Sequence, residues 1–375
     1  MQYRIFPKTG EKVSLLGLGT MRLPQKSDGS VRETEAIQMI RAAIDGGVNY
    51  VDTAYIYHGG KSEVITGKAL RDGYREKVLL ADKMPLWLLE DETTQPTIFD
   101  EQLARLGVQV IDMYLAHNIN APSWKRAQKH NTMRFLEEKK AEGRIKHIGF
   151  SFHDALPFFK EVIDAYPWDF CQIQLNYMDT AYQAGVEGMK YAAAKGIPVV
   201  VMEPLKGGLL TDRLPAGVQQ LWNQADIQRT PAEWALRWVA DFPEVLTILN
   251  GVSSMEQLTE NMDTLSRALP NSLTEQEHHI IQQAADAYNA LLPYACTKCR
   301  YCMPCPRGVD IPEAIGYYNE WSLYARNPKT KEVFHLFVPE NKRPGQCDGC
   351  KTCEERCPQG LPIAEAMKKT AAVFE

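Results

Sequence analysis

Short β-rich runs alternate with helical stretches eight times over residues 1 to about 285, and this alternation restricts the fold more than any other feature of the 375-residue sequence. The apolar runs predict eight strands: Val13–Gly19, Asn49–Ala54, Val78–Lys83, Val110–His117, His147–Phe152, Phe170–Asn176, Pro198–Glu203 and Val245–Gly251. Helical periodicity predicts eight helices: Glu33–Gly46, Lys61–Asp72, Thr97–Leu106, Asn131–Gly143, Ala155–Tyr166, Gly185–Gly196, Pro231–Ala240 and Met255–Leu265. Alternating strands and helices predict a parallel sheet of the α/β class, and eight such units predict its closure into a (β/α)8 TIM barrel.

The alternative architecture is an open doubly wound sheet. Such a sheet usually carries a G-x-G-x-x-G turn after its first strand, whereas Gly17–Arg22 has only the first two glycines. Closure is therefore favoured. Before the first barrel strand, Tyr3–Phe6 and Lys12–Leu15 are separated by Lys8-Thr9-Gly10 and predict a small hairpin. We expect this hairpin to close the floor of the barrel.

The charge balance limits the classes of partner. The chain has 42 basic and 47 acidic residues, a net charge of −5, and no basic stripe, so nucleic acid is not expected as a partner. No run of about 18 apolar residues occurs, and the segment Met1–Phe6 lacks the apolar stretch of a signal peptide. We therefore expect no membrane span and a cytoplasmic location.

Three successive predicted strands end in groups that can do acid–base chemistry. Asp52 ends the second strand, Lys83 the third and His117 the fourth, and Tyr57 follows the second strand closely. Taken singly, each residue has an ordinary structural explanation, such as capping a turn. Barrel enzymes carry their catalytic groups at the C-terminal ends of strands, so the joint placement predicts an active site.

These residues resemble the aldo/keto reductase family over residues 1–265. The resemblance rests on Gly17–Met21, on Asp52-Thr53-Ala54-x-x-Tyr57 and on Ser62-Glu63, and the spacing matches Tyr57 rather than Tyr55. It implies reduction of a small-molecule aldehyde or ketone, or oxidation of an alcohol, with NADPH or NADH.

The resemblance also implies a role for each catalytic residue. Tyr57 is the general acid that protonates the carbonyl oxygen. A free phenol has a pKa of about 10 and is a weak acid at neutral pH, so a nearby ammonium must lower that pKa. Lys83 supplies the ammonium, Asp52 pairs with Lys83, and His117 orients the carbonyl or relays the proton.

The cofactor residues implied by the resemblance are spread over several strand ends. Ser151 and Gln172 correspond to the pair that binds the carboxamide, and Met202 stands where a ring-stacking tyrosine is common. The loop after the last strand offers a phosphate site at a helix N-terminus, with simple helix capping as the alternative. It lacks the Lys and Arg typical of NADPH-preferring members, which leaves the choice of nicotinamide open. The full set is Gly19, Thr20, Met21, Ser151, Gln172, Met202, Pro204, Leu205, Lys206, Gly251, Ser253, Gln257, Glu260 and Asn261.

Eight of the nine cysteines follow residue 295, and this change of composition predicts a domain boundary between a barrel at 1–285 and a C-terminal domain at 286–375. The first group has cysteines at 296, 299, 302 and 305, and the second at 347, 350, 353 and 357. In each group the last cysteine is followed by proline. The second group matches the bacterial ferredoxin spacing, while the first is one residue short. We therefore expect a small, mainly α, ferredoxin-like iron–sulfur domain. Helices are predicted at 274–292 and 312–333, and Cys171 is expected in the core.

Two other roles for the cysteines, disulfide bonding and zinc binding, are less favoured. Disulfides are rare in the cytoplasm, and zinc usually binds two separated C-x-x-C pairs. In two-cluster ferredoxins the fourth cysteine of each run serves the other cluster. By that analogy one [4Fe–4S] cluster is held by Cys296, Cys299, Cys302 and Cys357, and the other by Cys347, Cys350, Cys353 and Cys305. A single cluster remains the alternative.

Three functional hypotheses follow from the two parts. In the first, the clusters exchange electrons between the active site and a ferredoxin or flavoprotein partner. In the second, the clusters are structural and the barrel is an ordinary carbonyl reductase. In the third, the chain is a nucleotide-sensing or electron-transfer subunit. The complete set of catalytic residues argues against this third hypothesis. Because a nicotinamide transfers two electrons and a cluster one, the first hypothesis requires an agent such as a flavin to split the pair.

Overall fold

The computed structural model of the chain describes residues 1–212, 214–323 and 328–375. Its strands are β1 (Tyr3–Ile5), β2 (Lys12–Ser14), β3 (Leu16–Gly19), β4 (Tyr50–Asp52), β5 (Leu79–Pro85), β6 (Ile111–Ile119), β7 (Ile145–Phe152), β8 (Phe170–Gln174), β9 (Val199–Met202) and β10 (Val245–Gly251). Its helices are α1 (Glu33–Asp45), α2 (Lys61–Ala69), α3 (Thr94–Leu106), α4 (Ala121–Lys129), α5 (Thr132–Ala141), α6 (Leu156–Ala165), α7 (Gly185–Ala194), α8 (Ala216–Gln224), α9 (Pro231–Ala240), α10 (Met255–Arg267), α11 (Glu275–Asn289), α12 (Ile311–Leu323), α13 (Pro328–Phe337), α14 (Thr352–Arg356) and α15 (Ile363–Phe374).

Strands β3 to β10 form a closed parallel barrel in chain order. Closure is complete because β10 pairs with β3 as well as with β9. The predicted (β/α)8 barrel is therefore confirmed, and the open doubly wound alternative is wrong.

The predicted first strand, 13–19, is in fact two strands. Residues of β2 pair with the antiparallel β1, with Tyr3 opposite Ser14, whereas β3 pairs with β4 and β10. The chain changes partners at Leu15, which an unbroken run of apolar letters does not reveal. The predicted N-terminal hairpin is present.

The barrel interior is filled by alternate residues of the strands. Because successive side chains point to opposite faces, every second residue enters the interior. Phe6 and Val13 from the hairpin join this buried interior cluster. Its strand members are Tyr50, Leu79, Ala81, Met113, Leu115, Phe170, Val200, Leu246 and Leu249.

Most barrel helices follow the predicted periodicity. In α1 the buried residues Ala36, Met39, Ile40, Ala43 and Ile44 recur at helical spacing and form one apolar face. Helices α4 and α8 were not predicted. The sequence of α4 is strongly polar and only two of its residues are buried, so it has no run of apolar residues that would mark a helix. It is instead defined by a capping box at its N-terminus and a proline in its first turn.

The described chain divides into two compact units. The first comprises Met1–Pro204 and Ala232–Leu273, and the second comprises Leu205–Pro231 and Thr274–Glu375. The barrel strands all belong to the first unit. The second unit contains α8 and α11 to α15, so the region after residue 274 is helical, as predicted.

Within the second unit, α8 packs with α11, and an ion pair joins Arg229 to Glu277. The predicted helix 312–333 corresponds to α12 and the first part of α13, and its residues 324–327 lie outside the described residues. The aromatic face of α12 packs into a small core, where Tyr317 meets Phe334 with ring centroids 5.5 Å apart.

Across the described ranges, no helix combines the length and the apolar character needed to cross a bilayer.

Candidate functional site

The ends of β4, β5 and β6 carry Asp52, Lys83 and His117. Lys83 lies two residues after Ala81, and His117 lies two residues after Leu115. Both of these apolar residues belong to the buried interior cluster. The side-chain alternation of a strand therefore directs Lys83 and His117 into the barrel at its C-terminal end.

Lys83 and Asp52 form a buried ion pair. The Lys83 Nζ lies 2.6 Å from Asp52 Oδ1 and also donates to the Thr53 carbonyl oxygen at 2.5 Å. The two side chains are 0% and 3% exposed. Burial raises the pKa of Asp52, and the Lys83 ammonium opposes that rise. In such a pair the attraction between the two groups offsets part of the hydration that each loses on burial.

Tyr57 follows β4 and begins a short 3-10 turn. The Lys83 Nζ lies 5.2 Å from the centre of the Tyr57 ring. The ring centroids of Tyr57 and His117 are 6.4 Å apart, with the ring planes at 84°. The structure thus brings a phenol, an ammonium, a carboxylate and an imidazole to one end of the barrel.

The surroundings of His117 favour the neutral imidazole. Burial lowers the pKa of His117 well below its usual value, and the Lys83 ammonium and His153 act in the same direction. The indole of Trp87 lies beside it, with ring centroids 5.0 Å apart. A neutral imidazole keeps one N–H donor, so at neutral pH His117 is able to donate a hydrogen bond without adding positive charge.

The loop after β3 is hydrogen-bonded to the end of β4. The Thr20 hydroxyl donates to the Asp52 carbonyl oxygen at 2.9 Å, and the Ser62 hydroxyl donates to Thr20 Oγ1 at 2.7 Å. Of the predicted cofactor residues, Gly19 ends β3 and Thr20 and Met21 follow it directly. These three residues therefore lie at the same end of the barrel as Asp52.

Two predicted carboxamide-binding residues are direct neighbours. Ser151 on β7 is paired in register with Gln172 on β8. The Ser151 hydroxyl accepts from the Asn118 backbone N–H at 2.8 Å, and Gln172 Nε2 lies 3.4 Å from Met202 Sδ. The side-chain oxygens of Asn118 and Gln172 are buried and accept no hydrogen bond within the described part of the chain. Buried acceptors normally have donors, so these oxygens suit an amide such as the nicotinamide carboxamide.

The loop after β10 is a capped helix N-terminus. Ser253 donates its backbone N–H to the Gln257 side chain at 2.9 Å, and the Ser254 hydroxyl accepts from the Gln257 N–H at 3.3 Å. Helix capping is thus present, and it is compatible with a phosphate at the same place. The other predicted residues here are Gly251, which ends β10, and Glu260 and Asn261 on α10.

Arg22 brings a cation to this loop that sequence reasoning missed. A Cβ built on Gly251 would lie only 2.9 Å from Arg22 Cγ, so glycine makes room for the arginine. The Ser253 hydroxyl also donates to the Arg22 carbonyl oxygen at 2.9 Å. The cation comes from the loop after β3, two residues beyond Thr20, whereas the family comparison directs attention to the loop after β10.

Trp87 and His153 were also missed, although each follows a strand end closely. Trp87 lies in a 3-10 turn directly after β5. Burial lowers the pKa of His153 to about 4, and its Nδ1 lies 3.3 Å from the Gln183 side-chain oxygen. Only their positions directly after strand ends could have indicated these two residues, because neither belongs to a motif.

The remaining predicted cofactor residues fall in different units. Met202 ends β9 and packs, half-buried, against the interior cluster, and Pro204 closes the same stretch of the first unit. Leu205 and Lys206 belong to the second unit. There Lys206 is buried and begins a short turn with a φ of 48°. The roles of all four toward a cofactor stay predictions.

The second unit contains a cavity lined by four cysteines, Cys305, Cys347, Cys350 and Cys353. This is the set predicted for one cluster, with the last cysteine of the first group beside three of the second. Burial raises the pKa of Cys353 to about 11, and the nearby thiols of Cys347 and Cys305 add to the rise. A cavity lined by four thiols fits an iron–sulfur cluster, whose iron would stabilise the thiolates.

Of the other predicted set, Cys302 is buried in a core of the second unit, and Cys296 and Cys357 pack against that core. Burial raises the pKa of Cys302 to about 12, and the thiols of Cys296, Cys357 and Cys353 add to the rise. Among the described residues no three His, Cys, Asp or Glu side chains converge on a single metal ion. A [4Fe–4S] cluster differs from such a site because each thiolate binds a different iron. The assignment of ligands to clusters stays a prediction.

Known proteins resemble both parts of the chain. Residues 15–286 match the aldo/keto reductase family, and residues 295–362 match the 4Fe-4S dicluster domain. The chain is 28% identical to NADH-specific methylglyoxal reductase of Escherichia coli (strain K12), over 73% of this chain and 95% of that protein. It is 27% identical to L-galactose dehydrogenase of Arabidopsis thaliana, over 70% of this chain and 87% of that protein.

A solved structure extends the likeness to three dimensions. The holo form of an aldo-keto reductase from Bacillus halodurans aligns with a TM-score of 0.64 and 27% identity, over 76% of this chain and 96% of that one. The aligned sequence and the closed barrel agree with the family match over residues 15–286. This chain therefore belongs to the aldo/keto reductase family of oxidoreductases and carries a C-terminal 4Fe-4S dicluster domain.

Proposed function

We propose that the barrel reduces the carbonyl group of an aldehyde or ketone, or oxidises the corresponding alcohol, with a nicotinamide cofactor. One observation carries the proposal: the buried Lys83–Asp52 ion pair lies beside the Tyr57 phenol at the C-terminal end of the barrel. This is the arrangement that a carbonyl reduction needs, since the reacting oxygen must receive a proton as it gains charge.

Tyr57 donates that proton. A bound nicotinamide supplies the hydride, so the protein must handle only the negative charge that develops on the carbonyl oxygen. The Lys83 ammonium favours the tyrosinate and so lowers the pKa of the phenol toward the working pH. Asp52 holds Lys83 in place, because it accepts a hydrogen bond from the Lys83 Nζ at 2.6 Å. His117, as a neutral imidazole, donates a hydrogen bond that orients the carbonyl.

The cofactor is NADPH or NADH, and we propose that NADH serves at least as well. The loop after β10 offers Gly251 and Gln257 in place of cations, and Glu260 adds negative charge on the following helix. Residues 250–258 themselves contain no Lys or Arg to pair with a 2′-phosphate. Arg22 beside Gly251 is the cation available to either cofactor. One relative is named as NADH-specific, which agrees with this preference.

A small polar carbonyl compound is the substrate class we propose. The relatives are named for methylglyoxal and L-galactose, both small and rich in oxygen. Around His117, the side chains of Trp87 and His153 combine an apolar wall with a polar group. Such a mixture suits a small substrate that has both a carbonyl and a hydroxyl or second carbonyl.

For the C-terminal domain we propose two [4Fe–4S] clusters with exchanged fourth ligands. One is held by Cys296, Cys299, Cys302 and Cys357, and the other by Cys347, Cys350, Cys353 and Cys305. A cluster supplies one-electron transfer. A ferredoxin or flavoprotein partner is the second candidate function, supported by the exposure of Cys350 at the protein surface. A cytoplasmic location stays a prediction.

The barrel proposal is tested by the variant Tyr57→Phe. We expect carbonyl reduction to fall by about 10²–10⁴-fold, the range that general acid catalysis contributes. Binding of NADH, followed by its fluorescence, stays unchanged because the lost hydroxyl serves the substrate and not the cofactor.

Tyr55→Phe is the matched control. Tyr55 lies two residues earlier, its phenol donates to Glu101 at 2.7 Å, and the Arg105 guanidinium lies 4.3 Å from its ring centre. We expect its activity to stay within about twofold of the unaltered protein. Full reductase activity in Tyr57→Phe would refute the proposed function.

The cluster proposal is tested by composition. Protein purified without oxygen should contain about eight iron and eight sulfide atoms per chain, against about four of each for a single cluster. Zinc in place of iron would overturn the cluster proposal and leave the barrel proposal standing.

A further inference from the structure

The end of β7 places His153 on the inner face of the barrel. Successive residues of a strand point to opposite faces, and Phe150 and Phe152 pack outward against Phe159 of α6, with ring centroids 6.0 and 5.0 Å apart. The His153 backbone N–H donates to the Ile119 carbonyl oxygen at 2.9 Å, so the pairing of β7 with β6 continues to this residue. The alternation therefore directs the His153 side chain inward, at the end of the barrel that carries the catalytic groups.

Gln183 determines which ring nitrogen of His153 carries the proton. The Nδ1 of His153 lies 3.3 Å from the Gln183 side-chain oxygen, which can only accept, so Nδ1 is the donor. Burial lowers the pKa of His153 to about 4, and the imidazole is therefore uncharged at neutral pH. In a neutral ring with a protonated Nδ1, the other nitrogen, Nε2, is a hydrogen-bond acceptor and has no proton to donate.

The acceptor at His153 Nε2 is not used within the protein. Over the ranges that the structure describes, the hydrogen bond to Gln183 is the one made by this imidazole. His153 is half-buried rather than enclosed, and it lies close enough to His117 to lower the pKa of that imidazole. An acceptor thus stands beside the group that donates to the carbonyl in the proposed reaction.

The acceptor distinguishes between two kinds of neighbouring group on a substrate. A hydroxyl group next to the carbonyl can donate its proton to Nε2. A second carbonyl group has lone pairs alone and would face those of Nε2 without a hydrogen between them.

We propose that His153 is a specificity-determining residue that accepts a hydrogen bond from a hydroxyl group on the carbon next to the substrate carbonyl. The preferred substrates are therefore hydroxyaldehydes and hydroxyketones rather than dicarbonyl compounds. His153 keeps its own ring proton throughout, and no bond to it is formed or broken. The inference rests on the proposed function, because it concerns the same site and the same carbonyl reduction.

Three aldehydes that differ at one carbon test the inference. Lactaldehyde, methylglyoxal and propanal share a three-carbon chain, and their second carbon carries a hydroxyl group, a second carbonyl or no oxygen. The kcat/KM of each is measured with the full-length, cluster-loaded protein and saturating NADH. We expect the value for lactaldehyde to exceed that for propanal by about tenfold, because a site that binds a hydroxyl group discriminates against an analogue without one.

The variant His153→Phe keeps a planar ring and removes the acceptor. Its kcat/KM for lactaldehyde should fall by about tenfold, whereas the values for methylglyoxal and propanal should stay within about twofold. The KM for NADH should not change. His153→Gln keeps an acceptor oxygen at a similar reach, so it should retain most of the preference for lactaldehyde. Comparing each variant with the unaltered protein on one substrate cancels the different reactivities of the aldehydes.

His147→Phe is the matched control. His147 lies on the same strand toward the opposite end of the barrel, where its ring meets that of Phe6 with centroids 4.8 Å apart. The substitution should change kcat/KM for the three aldehydes by the same factor, because any effect acts through the fold.

Equal losses for the three aldehydes in His153→Phe would overturn the inference, since His153 would then act through the fold. A raised KM for NADH with an unchanged order of substrates would also overturn it, since His153 would then serve the cofactor. If the unaltered protein reduces propanal as well as lactaldehyde, the inference fails and the proposed carbonyl reduction stands. If none of the three aldehydes is reduced, the proposed function fails and the inference fails with it.

Discussion

Lys83 and Asp82 are neighbours in β5, yet the two faces of that strand accommodate buried charge in opposite ways. On the inner face, Lys83 meets Asp52, a group of opposite charge. On the outer face, Asp82 meets a second carboxyl group, Glu63, which comes from α2. All four side chains are buried. Equal burial thus produces an ion pair on one side and a pair of acids on the other.

The outer pair requires a shared proton. Burial raises the pKa of Asp82 well above its usual value, and the adjacent Glu63 raises it further. Asp82 Oδ2 and Glu63 Oε1 are buried and accept no hydrogen bond from protein donors in the described ranges. Two carboxylates in contact are not both ionised, so a proton on Asp82 satisfies both oxygens. The other Glu63 oxygen, Oε2, accepts a hydrogen bond from Arg105 Nη1 at 2.8 Å.

The comparison shows that burial of a titratable group does not by itself mark a catalytic one. The outer face of β5 is hydrogen-bonded to α3. On that helix, Gln102 donates to the Lys83 carbonyl oxygen at 3.0 Å and accepts from Tyr114. The inner pair faces Tyr57. Only the inner pair adjoins a group able to transfer a proton to a ligand, so the outer pair serves to hold the strand that carries Lys83.

Removing Lys83 should produce the largest effect. In Lys83→Met the Asp52 carboxylate is left buried without a counter-ion, at a cost of about 3–5 kcal/mol in the free energy of unfolding. Carbonyl reduction should fall by about 10²–10⁴-fold because Tyr57, the proposed general acid, loses the ammonium beside it. Urea unfolding and steady-state kinetics measure the two effects.

The double variant Lys83→Met/Asp52→Asn separates the two effects. Neutralising the carboxylate should recover most of the lost stability and none of the lost activity. Recovery of activity together with stability would mean that Lys83 acts through the fold alone, and the contrast between the two faces of β5 would disappear.

Removing Arg105 should have an intermediate effect, confined to the outer face. In Arg105→Met the buried Glu63 carboxylate loses its cation, at a cost of about 1–3 kcal/mol in the free energy of unfolding. Arg134→Met is the control, because Arg134 forms an exposed pair with Glu138 on one helix and should cost less than about 0.5 kcal/mol. Equal costs for the two variants would show that the outer cluster is not a buried one in solution.

Much of the inner site could be predicted from sequence. The alternation of side chains along a strand and the order of strands in a closed barrel together place Asp52, Lys83 and His117 on adjacent interior positions. The analogy with two-cluster ferredoxins likewise named the four cysteines that line one cavity, and their role as cluster ligands stays a prediction. For the strand ends, a regular periodicity carries the information.

The outer pair and the loop residues could not be predicted in the same way. Glu63 was part of a family motif, but its contact with Asp82 depends on how α2 packs against β5. Arg22 reaches Gly251 from a loop more than two hundred residues away in sequence. Helix α4 is short and strongly polar, and the break at Leu15 depends on which strand each half of the run 13–19 pairs with. These features follow from tertiary packing, which periodicity does not encode.

Neutralising Asp82 should have the smallest effect, visible chiefly as a change in pH dependence. Because the folded-state pKa of Asp82 is raised, its contribution to stability is fully present below the unfolded-state value of about 3.8 and is lost as pH rises toward the folded-state value. In Asp82→Asn the amide donates to Glu63 and accepts from the Lys83 N–H, which Asp82 Oδ1 accepts at 2.8 Å. The variant therefore resembles the protonated acid at every pH.

We accordingly expect Asp82→Asn to unfold in urea within about 1 kcal/mol of the unaltered protein at pH 4. Above pH 4 the Asp82 contribution to the free energy of unfolding declines in the unaltered protein and is absent from the variant. The variant should therefore gain stability relative to the unaltered protein through the neutral range. Asp52→Asn provides the contrast on the inner face, since it removes the counter-ion of Lys83 and should lose stability at neutral pH. If Asp82→Asn instead loses stability relative to the unaltered protein as pH rises, Asp82 is ionised in the folded protein, and the outer pair does not share a proton.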